Sequence, residues 1–365
     1  MKTVFTSDVQ AQCVNHVGLI TLNRPKALNA LSLAMVRELT HVLLAWQNDP
    51  QVYAVVIRGS NKEGPFGAFC AGGDIRYFHQ AALAGDTTLE DFFTEEYNLN
   101  HLIQNYPKPY VALMDGIVMG GGMGISQGAA LRVVTERTQM AMPETHIGLF
   151  PDVGGGYFLS RCAGRLGEYL GLTGHLLQGE DAVHAGLADG LVSSGKLVHL
   201  WQTLVDTPFE NGEAVERWVR TRFDRLEKTG LAHRAEMDAV FGLDSVDAIL
   251  QTLESANDEW SVQTAKTLRH RSPLMLHVVL EQIRRARSMS LADDLRMERD
   301  LVRHCFALRP VADSETVEGI RALAVDKDHS PQWKPARSED VDAAEVAAFF
   351  VSPWPAHAHP LRDLT

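Results

Sequence analysis

Positive charge is in deficit in this sequence: 34 Lys and Arg stand against 46 Asp and Glu, a formal net charge of -12 at pH 7. Proteins that hold nucleic acid present a basic face to the phosphate backbone, so no nucleic-acid partner is expected. A small polyanion would need locally placed Arg, Lys or backbone N–H groups, because the field of the whole chain does not attract it. Cysteine is scarce too. Cys13, Cys70, Cys162 and Cys305 show neither CxxC pairing nor zinc-like spacing, and four in 365 residues make no disulfide framework. A reducing compartment is expected, and no metal. No run of about 18 apolar residues occurs, so no membrane span is expected. The N-terminal MKTVFTSDVQ has no long apolar run and no Arg-rich amphipathic character. The expected location is the cytoplasm, or the mitochondrial matrix if a leader has been removed.

What is present is enough to bury a full core: 45% of the residues are hydrophobic and 22% charged. VNHVGLITL (14–22) and VYAVVIR (52–58) are rich in β-branched residues and short enough for strands. Between them, 32–47 has the periodicity of an amphipathic helix. A Gly- and Phe-rich loop follows at 59–74, then helical patterns, then PYVALMDG (109–116), which predicts a buried strand running into a turn. GGGMGISQGAA (120–130) has the small residues of a helix N-terminus whose backbone approaches something closely. Strands are expected at 131–135 and 138–142, and alternation of this kind to about residue 195 predicts an α/β core. Past residue 205 the pattern is helical, over 213–228, 245–256, 257–270, 273–288 and 291–308. From about Pro331 it turns Pro-rich and irregular. The expected organisation is a core over 1–205, a helical region over 206–345 and an irregular tail over 346–365.

Two glycine-rich stops could present free N–H groups to a developing negative charge. One is Cys70-Ala71-Gly72-Gly73-Asp74, where a loop enters a helix at Ile75; the other is Gly120-Gly121-Gly122, where a strand turns into a helix. Taken alone, each cluster is more often an ordinary tight turn. Acid groups follow in Met142 to Gly156, where Glu144 and Asp152 lie eight residues apart in an apolar stretch punctuated by Pro and Gly. Apolar surroundings raise a carboxyl pKa towards the range useful for proton transfer. The structural alternative is that Glu144 begins a short helix and Asp152 caps a helix around 154–162, and spacing alone favours it.

The ordered set AFCAGGDI (68–75), GIVMGGGMGIS (116–126) and MPETHIGLFPDVGGGYFLSR (142–161) shifts that balance. It resembles the crotonase (enoyl-CoA hydratase/isomerase) superfamily, and within it the 3-hydroxyisobutyryl-CoA hydrolase branch. NRPKALNAL (23–31) and VEGIRALAVDKDHSPQWKP (317–335) extend the likeness over about residues 10–340. Single pieces such as AGGD have little specificity; the ordered set is highly specific. The resemblance implies an α/β fold, a crotonase-like spiral of ββα units with an all-helical C-terminal region. It implies that the N–H groups of Gly73 and Gly121 form an oxyanion hole, that Glu144 is the acid/base carboxylate, and that Asp152 is the second carboxylate of the hydrolase branch. Glu96 falls at a substrate-contacting position, although alone it would be a solvated helix acid. Arg24 and Lys26 fall near the CoA nucleotide end, and are as readily surface charges.

One departure from the wider superfamily is informative. Hydratases carry a second glutamate just after the glycine run, where this chain has Gly124, and a glycine where it has Asp152. Both changes favour hydrolysis over hydration. The implied activity is hydrolysis of a short 3-hydroxyacyl-CoA thioester, with 3-hydroxyisobutyryl-CoA the first guess, giving 3-hydroxyisobutyrate and CoA as in valine catabolism. CoA enters as part of the substrate, and no separate cofactor is expected. A homo-oligomer is left open: related folds often trimerise through C-terminal helices, but the longer helical part here could cover that surface.

Other motifs compete with this reading. Gly124-Ile125-Ser126-Gln127-Gly128 fits G-x-S-x-G, yet the turn at Gly120–Gly122 would place Ser126 inside the helix and not at a nucleophile elbow. Gly122-x-Gly124-x-x-x-Gly128 is one residue too long for a dinucleotide fingerprint, and Ser194-Gly195-Lys196-Leu197 lacks the rest of a Walker A loop. His304-Cys305 reads as helix packing. The alternatives carried forward are a hydratase or isomerase of the same superfamily and a non-catalytic CoA-binding protein, the latter disfavoured because both candidate carboxylates are present.

Overall fold

A computed structural model describes residues 8–226 and 230–365 of the chain. The reading of the first seven residues and the end of the helix expected over 213–228 lie outside the described residues. In chain order the elements begin with β1 (Val9–Val14), β2 (Val17–Leu22), α1 (Leu33–Gln47), β3 (Ala54–Gly59), β4 (Ala68–Cys70), α2 (Ile75–Ala84) and α3 (Thr88–Gln104). Next come β5 (Tyr110–Met114), β6 (Ile117–Met119), α4 (Gly121–Gln127), β7 (Leu131–Val134) and β8 (Gln139–Ala141). They are followed by α5 (Gly155–Ser160), α6 (Leu166–Thr173), β9 (Leu177–Gln178), α7 (Gly179–His184), β10 (Gly190–Leu191) and α8 (Leu197–Asp206). From there the described residues are helical or irregular: α9 (Gly212–Arg220), α10 (Arg234–Phe241), α11 (Val246–Ser255), α12 (Glu259–Arg269), α13 (Pro273–Ala286), α14 (Leu291–Phe306), α15 (Glu315–Ile320) and α16 (Ala343–Phe349). None of these helices is long and apolar enough to cross a membrane.

The strands form two sheets, ordered β1-β2-β3-β5-β7-β10 and β4-β6-β8-β9. Neighbours run parallel except β1 with β2 and β8 with β9. The stretch 14–22, expected as one strand, is the end of a hairpin: Asn15 and His16 take φ of 45° and 67°, and that turn separates β1 from β2. All six residues of β2 are buried, as for a strand covered on both faces.

Two compact units divide the chain, and neither is continuous in sequence. The first takes the segment ending at Gly73 together with Asn98–Ala141 and Leu176–Leu231; the second takes Asp74–Tyr97, Met142–His175 and Ala232–Thr365. Both sheets belong to the first unit. Its core sets Val17, Leu19, Val56, Val111, Leu113 and Val133 of the sheet against Leu197, Leu200, Trp201 and Leu204 of α8 and Val215 and Val219 of α9. Ser32 caps α1 through the Met35 N–H, and α1 buries Met35, Val36, Leu39, Leu43 and Trp46. Trp46 lies directly on Gly18, where a Cβ would meet its ring at 2.6 Å. The helix expected over 213–228 ends at Arg220. Beyond it the Phe223 ring lies on Gly190, and the Asp224 N–H bonds Leu191 O at 2.7 Å, so this segment gives its hydrogen bonds to the sheet edge.

The second unit is helical. α13 packs on α5 and α6, and α15 packs on a short 3-10 turn at Glu144–Ile147. Arg299 of α14, 1% exposed, donates from Nε to Thr94 Oγ1 at 3.0 Å and pairs with Glu90, both on α3. Arg303 reaches the same Glu90 carboxylate at 2.9 Å. The chain's end is tied down rather than loose: Arg296 Nε bonds Leu361 O at 3.1 Å, and Leu361 and Leu364 are buried.

Candidate active site

In the first unit two turns present unpaired N–H groups. After β4 the chain passes through Gly72, whose φ of 103° suits glycine, and Leu31 N bonds Gly72 O at 2.8 Å. Buried Asn29 pins this region, its Nδ2 donating to Ser60 O and Ala68 O, each at 2.8 Å. The other turn follows β6, where Gly120 (φ 47°, ψ -120°) is the N-cap of α4 and Gly121 is the first helical residue. A first-turn N–H has no acceptor within its own helix. Neither the Gly73 nor the Gly121 N–H finds a backbone acceptor in the loops and turns of the described residues. A Cβ on Gly72 would lie 3.2 Å from Met119 O and 3.6 Å from Gly121 N, so the two turns approach each other closely. Asp74 caps α2 by accepting from Tyr77 N at 3.3 Å, as the loop-to-helix reading expects.

In the second unit the structure gathers Glu96, Glu144 and Asp152. Glu144 opens the 3-10 turn, which is held by Thr145 Oγ1 on Leu172 O (3.1 Å) and by Ser272 N on Thr145 O (3.2 Å). Gly148 ends that turn at φ 66°, so close to α15 that a Cβ would fall 2.3 Å from Glu315 O. Glu144 thus does begin a short helix, yet its carboxyl is buried and Oε2 has no partner among the described residues. Burial raises its pKa well above the usual range, and Asp152 adds to the effect. The capping role expected for Asp152 is not what its side chain does. The N-cap of α5 is Gly154, with no side-chain cap, and Asp152 Oδ2 instead accepts from the Tyr97 hydroxyl at 2.9 Å. Burial pushes Asp152 from 3.8 to about 7, while the Tyr97 bond pulls the other way.

Glu96 is not a solvated helix acid. It is 2% exposed, Oε1 lacks a partner among the described residues, and burial followed by Asp152 and Glu144 raises its pKa well above normal. No cation pairs with Glu96, Glu144 or Asp152 in the ion pairs of the described residues, so hydrogen bonds such as that from Tyr97 and retained protons, not a positive charge, offset their mutual repulsion. A carboxyl held near neutrality beside two whose pKa is raised by burial can both accept and donate a proton, which is what acid/base work at a carbonyl needs.

Several neighbours were missed in the sequence. Tyr97 adjoins Glu96 and holds Asp152. Glu298 and Asp294 of α14, both fully buried, bond the backbone of the loop and helix that follow Asp152. Their signal was their register, since 294, 298, 301 and 305 share one helical stripe with apolar residues.

The structure places Ser126 within α4, where its buried Oγ donates to Gly122 O at 2.8 Å; that geometry is no nucleophile elbow. His304 shares a hydrogen bond with Val351 O and Cys305 is buried, a packing arrangement. No group of three or more His, Cys, Asp or Glu placed to hold a metal occurs among the described residues. Arg24 donates to Ala30 O at 2.9 Å within its own loop, and Lys26 is exposed.

A family model described as enoyl-CoA hydratase/isomerase matches residues 17–350, and the chain belongs to that family. Within it, the chain is 41% identical to a curated 3-hydroxyisobutyryl-CoA hydrolase, mitochondrial, from Gallus gallus, over 92% of this chain and 86% of that one. Among solved structures it is similar to a carnitinyl-CoA dehydratase from Mycobacterium thermoresistibile (TM-score 0.86, 36% identity, 98% of this chain and 99% of the other). It is also similar to an enoyl-CoA hydratase from Rhodobacter sphaeroides 2.4.1 (TM-score 0.85, 37% identity, 95% and 98%). The crotonase-like α/β fold with C-terminal helices, expected from the sequence, is the fold observed.

Proposed function

We propose that this chain hydrolyses 3-hydroxyisobutyryl-CoA to 3-hydroxyisobutyrate and free CoA, a reaction of valine degradation. The observation that carries the reading is the buried group Glu96, Glu144 and Asp152, with no cation paired to it among the described residues and with burial raising Asp152, which accepts from Tyr97, to about 7. The 41% identity to a 3-hydroxyisobutyryl-CoA hydrolase supports it. CoA arrives as part of the substrate and the reading calls on no separate cofactor. The relative's name places that protein in mitochondria, and for this chain the matrix is the proposed location, with the cytoplasm as the alternative.

In the proposed mechanism the thioester oxygen accepts from the N–H groups of Gly73 and Gly121, which stabilise it as negative charge develops. Glu144 either takes a proton from the water that attacks the carbonyl carbon, or attacks that carbon itself to give a mixed anhydride that water then cleaves; in both the C–S bond breaks and the thiolate leaves. Asp152 binds the acyl 3-hydroxyl and assists proton transfer to the leaving thiolate, and Glu96 contacts the same acyl group. A carboxyl held near neutrality loses little driving force in either direction of transfer.

The solved relatives are named a dehydratase and a hydratase, so hydration is the second reading. Gly124 supplies no carboxyl where hydratases have their second glutamate, which favours hydrolysis. The test is thiol release, followed by titration of free CoA, from 3-hydroxyisobutyryl-CoA beside absorbance loss on crotonyl-CoA. Thiol release from the first alone is expected; absorbance loss on the second without thiol release would turn the assignment to hydration. Glu144→Gln is expected to lower turnover by roughly 10²-fold or more, and near-normal turnover would remove Glu144 from the mechanism.

A further inference from the structure

The backbone just after Asp152 is strained. Val153 has φ of 57°, a left-handed conformation that a β-branched residue avoids, and Gly154 follows at φ 85°. Such a conformation is unfavourable and persists only where surrounding groups over-determine it. Those groups are visible here. Glu298 Oε2 accepts from Gly154 N at 2.7 Å, and Oε1 accepts from Gly156 N at 2.9 Å and from Gln282 Nε2 at 3.1 Å. The same Gln282 Nε2 donates to Pro151 O at 2.6 Å, so the two side chains grip the strained residue from both sides. Asp294, one helical turn before Glu298, takes the Tyr157 N–H at 2.8 Å.

We propose that Glu298 is a positioning residue: its two carboxyl oxygens clamp the Gly154 and Gly156 amides, enforce the strained turn at Val153, and so aim the Asp152 carboxyl at Tyr97 and at the substrate. A capping serine or asparagine would satisfy one amide; a carboxylate on a neighbouring helix satisfies two and fixes their spacing. Glu298 is fully buried with no ion pair among the described residues, an expense that cap chemistry alone does not require. The charged or titratable groups that face it are Asp294 on its own helix, Asp152 on the loop and Tyr97 on α3, while Arg161 at the end of α5 faces Asp294. Burial, then Asp294 and Asp152, raise the Glu298 pKa well above its ordinary value, while the Gly154 and Gly156 amides pull it back; three N–H donors nevertheless converge on its two oxygens and one on Asp294.

The test is Glu298→Gln, whose side-chain amide can accept at one atom only and turns an NH2 towards the other backbone N–H. Expected are a fall in kcat for thiol release of roughly 10–100-fold with KM within about threefold, and faster amide exchange confined to 152–157. The second variant adds V153G to E298Q. Glycine adopts the left-handed turn without restraint, so the E298Q loss is expected to shrink to about threefold or less in that background. Equal losses in both backgrounds, or an unchanged kcat in E298Q, overturn the proposal. If E298Q does not accumulate as folded protein, Gln282→Met carries the test, with a fall of roughly 3–10-fold in kcat expected and an unchanged kcat overturning it. The proposal rests on the hydrolase reading. Absence of thiol release by the unaltered chain removes that reading alone, and amide exchange in E298Q then decides the clamp: local acceleration supports it, none overturns it.

Discussion

Replacing Asp152 by Asn removes an ionisation that the fold holds near neutrality while keeping the side chain's shape. In the folded chain burial lifts this carboxyl from 3.8 to about 7. A group raised in this way favours its protonated form on folding. Between those two values the folded chain binds more protons than the unfolded chain, and stability falls as pH rises through the window. Above it the ionised, buried Asp152 costs up to about 4 kcal/mol, from a rise of 3.8 to about 7 at 1.36 kcal/mol per unit. Asn carries no such cost. It can still accept from Tyr97, but its NH2 enters a buried site without a partner, a penalty of about 1–3 kcal/mol. Urea unfolding at pH 8 is therefore expected to show Asp152→Asn more stable than the unaltered chain by about 1–3 kcal/mol. At pH 5, where the native carboxyl is mostly protonated, the gain is expected to vanish or reverse. Destabilisation of the same size at both pH values would refute the reasoning, because the side chain would then be structural and not a strained ionisable group.

Tyr97→Phe removes the hydroxyl that bonds Asp152 Oδ2 and lowers its pKa, so the limb of the kcat/KM profile that titrates with Asp152 should move up by about one pH unit. A profile that stays in place would dissociate that limb from Asp152. Gly122→Ala would put a Cβ 2.3 Å from Cys70 O, forcing α4 away from β4 and displacing the Gly121 N–H. Steady-state kinetics should show kcat falling on the order of 10–100-fold, as for an ångström-scale misplacement, and unchanged kcat would argue against Gly121 as a donor. Gly148→Ala meets both a positive φ and Glu315 O at 2.3 Å, so a loss of several °C in thermal midpoint is expected. An unchanged midpoint would show that this contact yields freely.

Much of the fold was legible because local signals agreed with the tertiary outcome. Ser32 and the apolar periodicity behind it gave α1 almost to the residue, and the apolar runs gave β3, β5 and β7. The misreadings have two physical origins: a tight turn concealed in an apolar run, and a segment elsewhere in the chain that competed for the same backbone groups. The hairpin turn at Asn15 and His16 hid inside a β-branched run, and the segment after Arg220 left its helical pattern to hydrogen-bond the edge at Leu191. The grouping of Asp74–Tyr97 and Met142–His175 with Ala232–Thr365 depends on contacts between segments far apart in sequence, which no window of local periodicity contains.

The site was legible in its residue types and opaque in its wiring. Spacing suggested that Asp152 caps the following helix; in fact α14 supplies those acceptors through Glu298 and Asp294, which leaves the Asp152 carboxyl free to meet Tyr97. One signal in the sequence did point there. On α3, Leu89, Phe92, Phe93, Glu96, Tyr97, Asn100 and Ile103 recur at helical spacing and all are buried, so Glu96 occupies a core position of an amphipathic helix and not its wet face. Glu298 occupies such a position on α14 between Leu295 and Leu301. A carboxyl at a core register must either find donors or keep its proton. Glu298 finds three N–H groups, whereas Glu96 and Glu144 each keep a buried oxygen with no partner. That difference separates the acid that shapes the site from those left with proton and hydrogen-bonding capacity for a substrate.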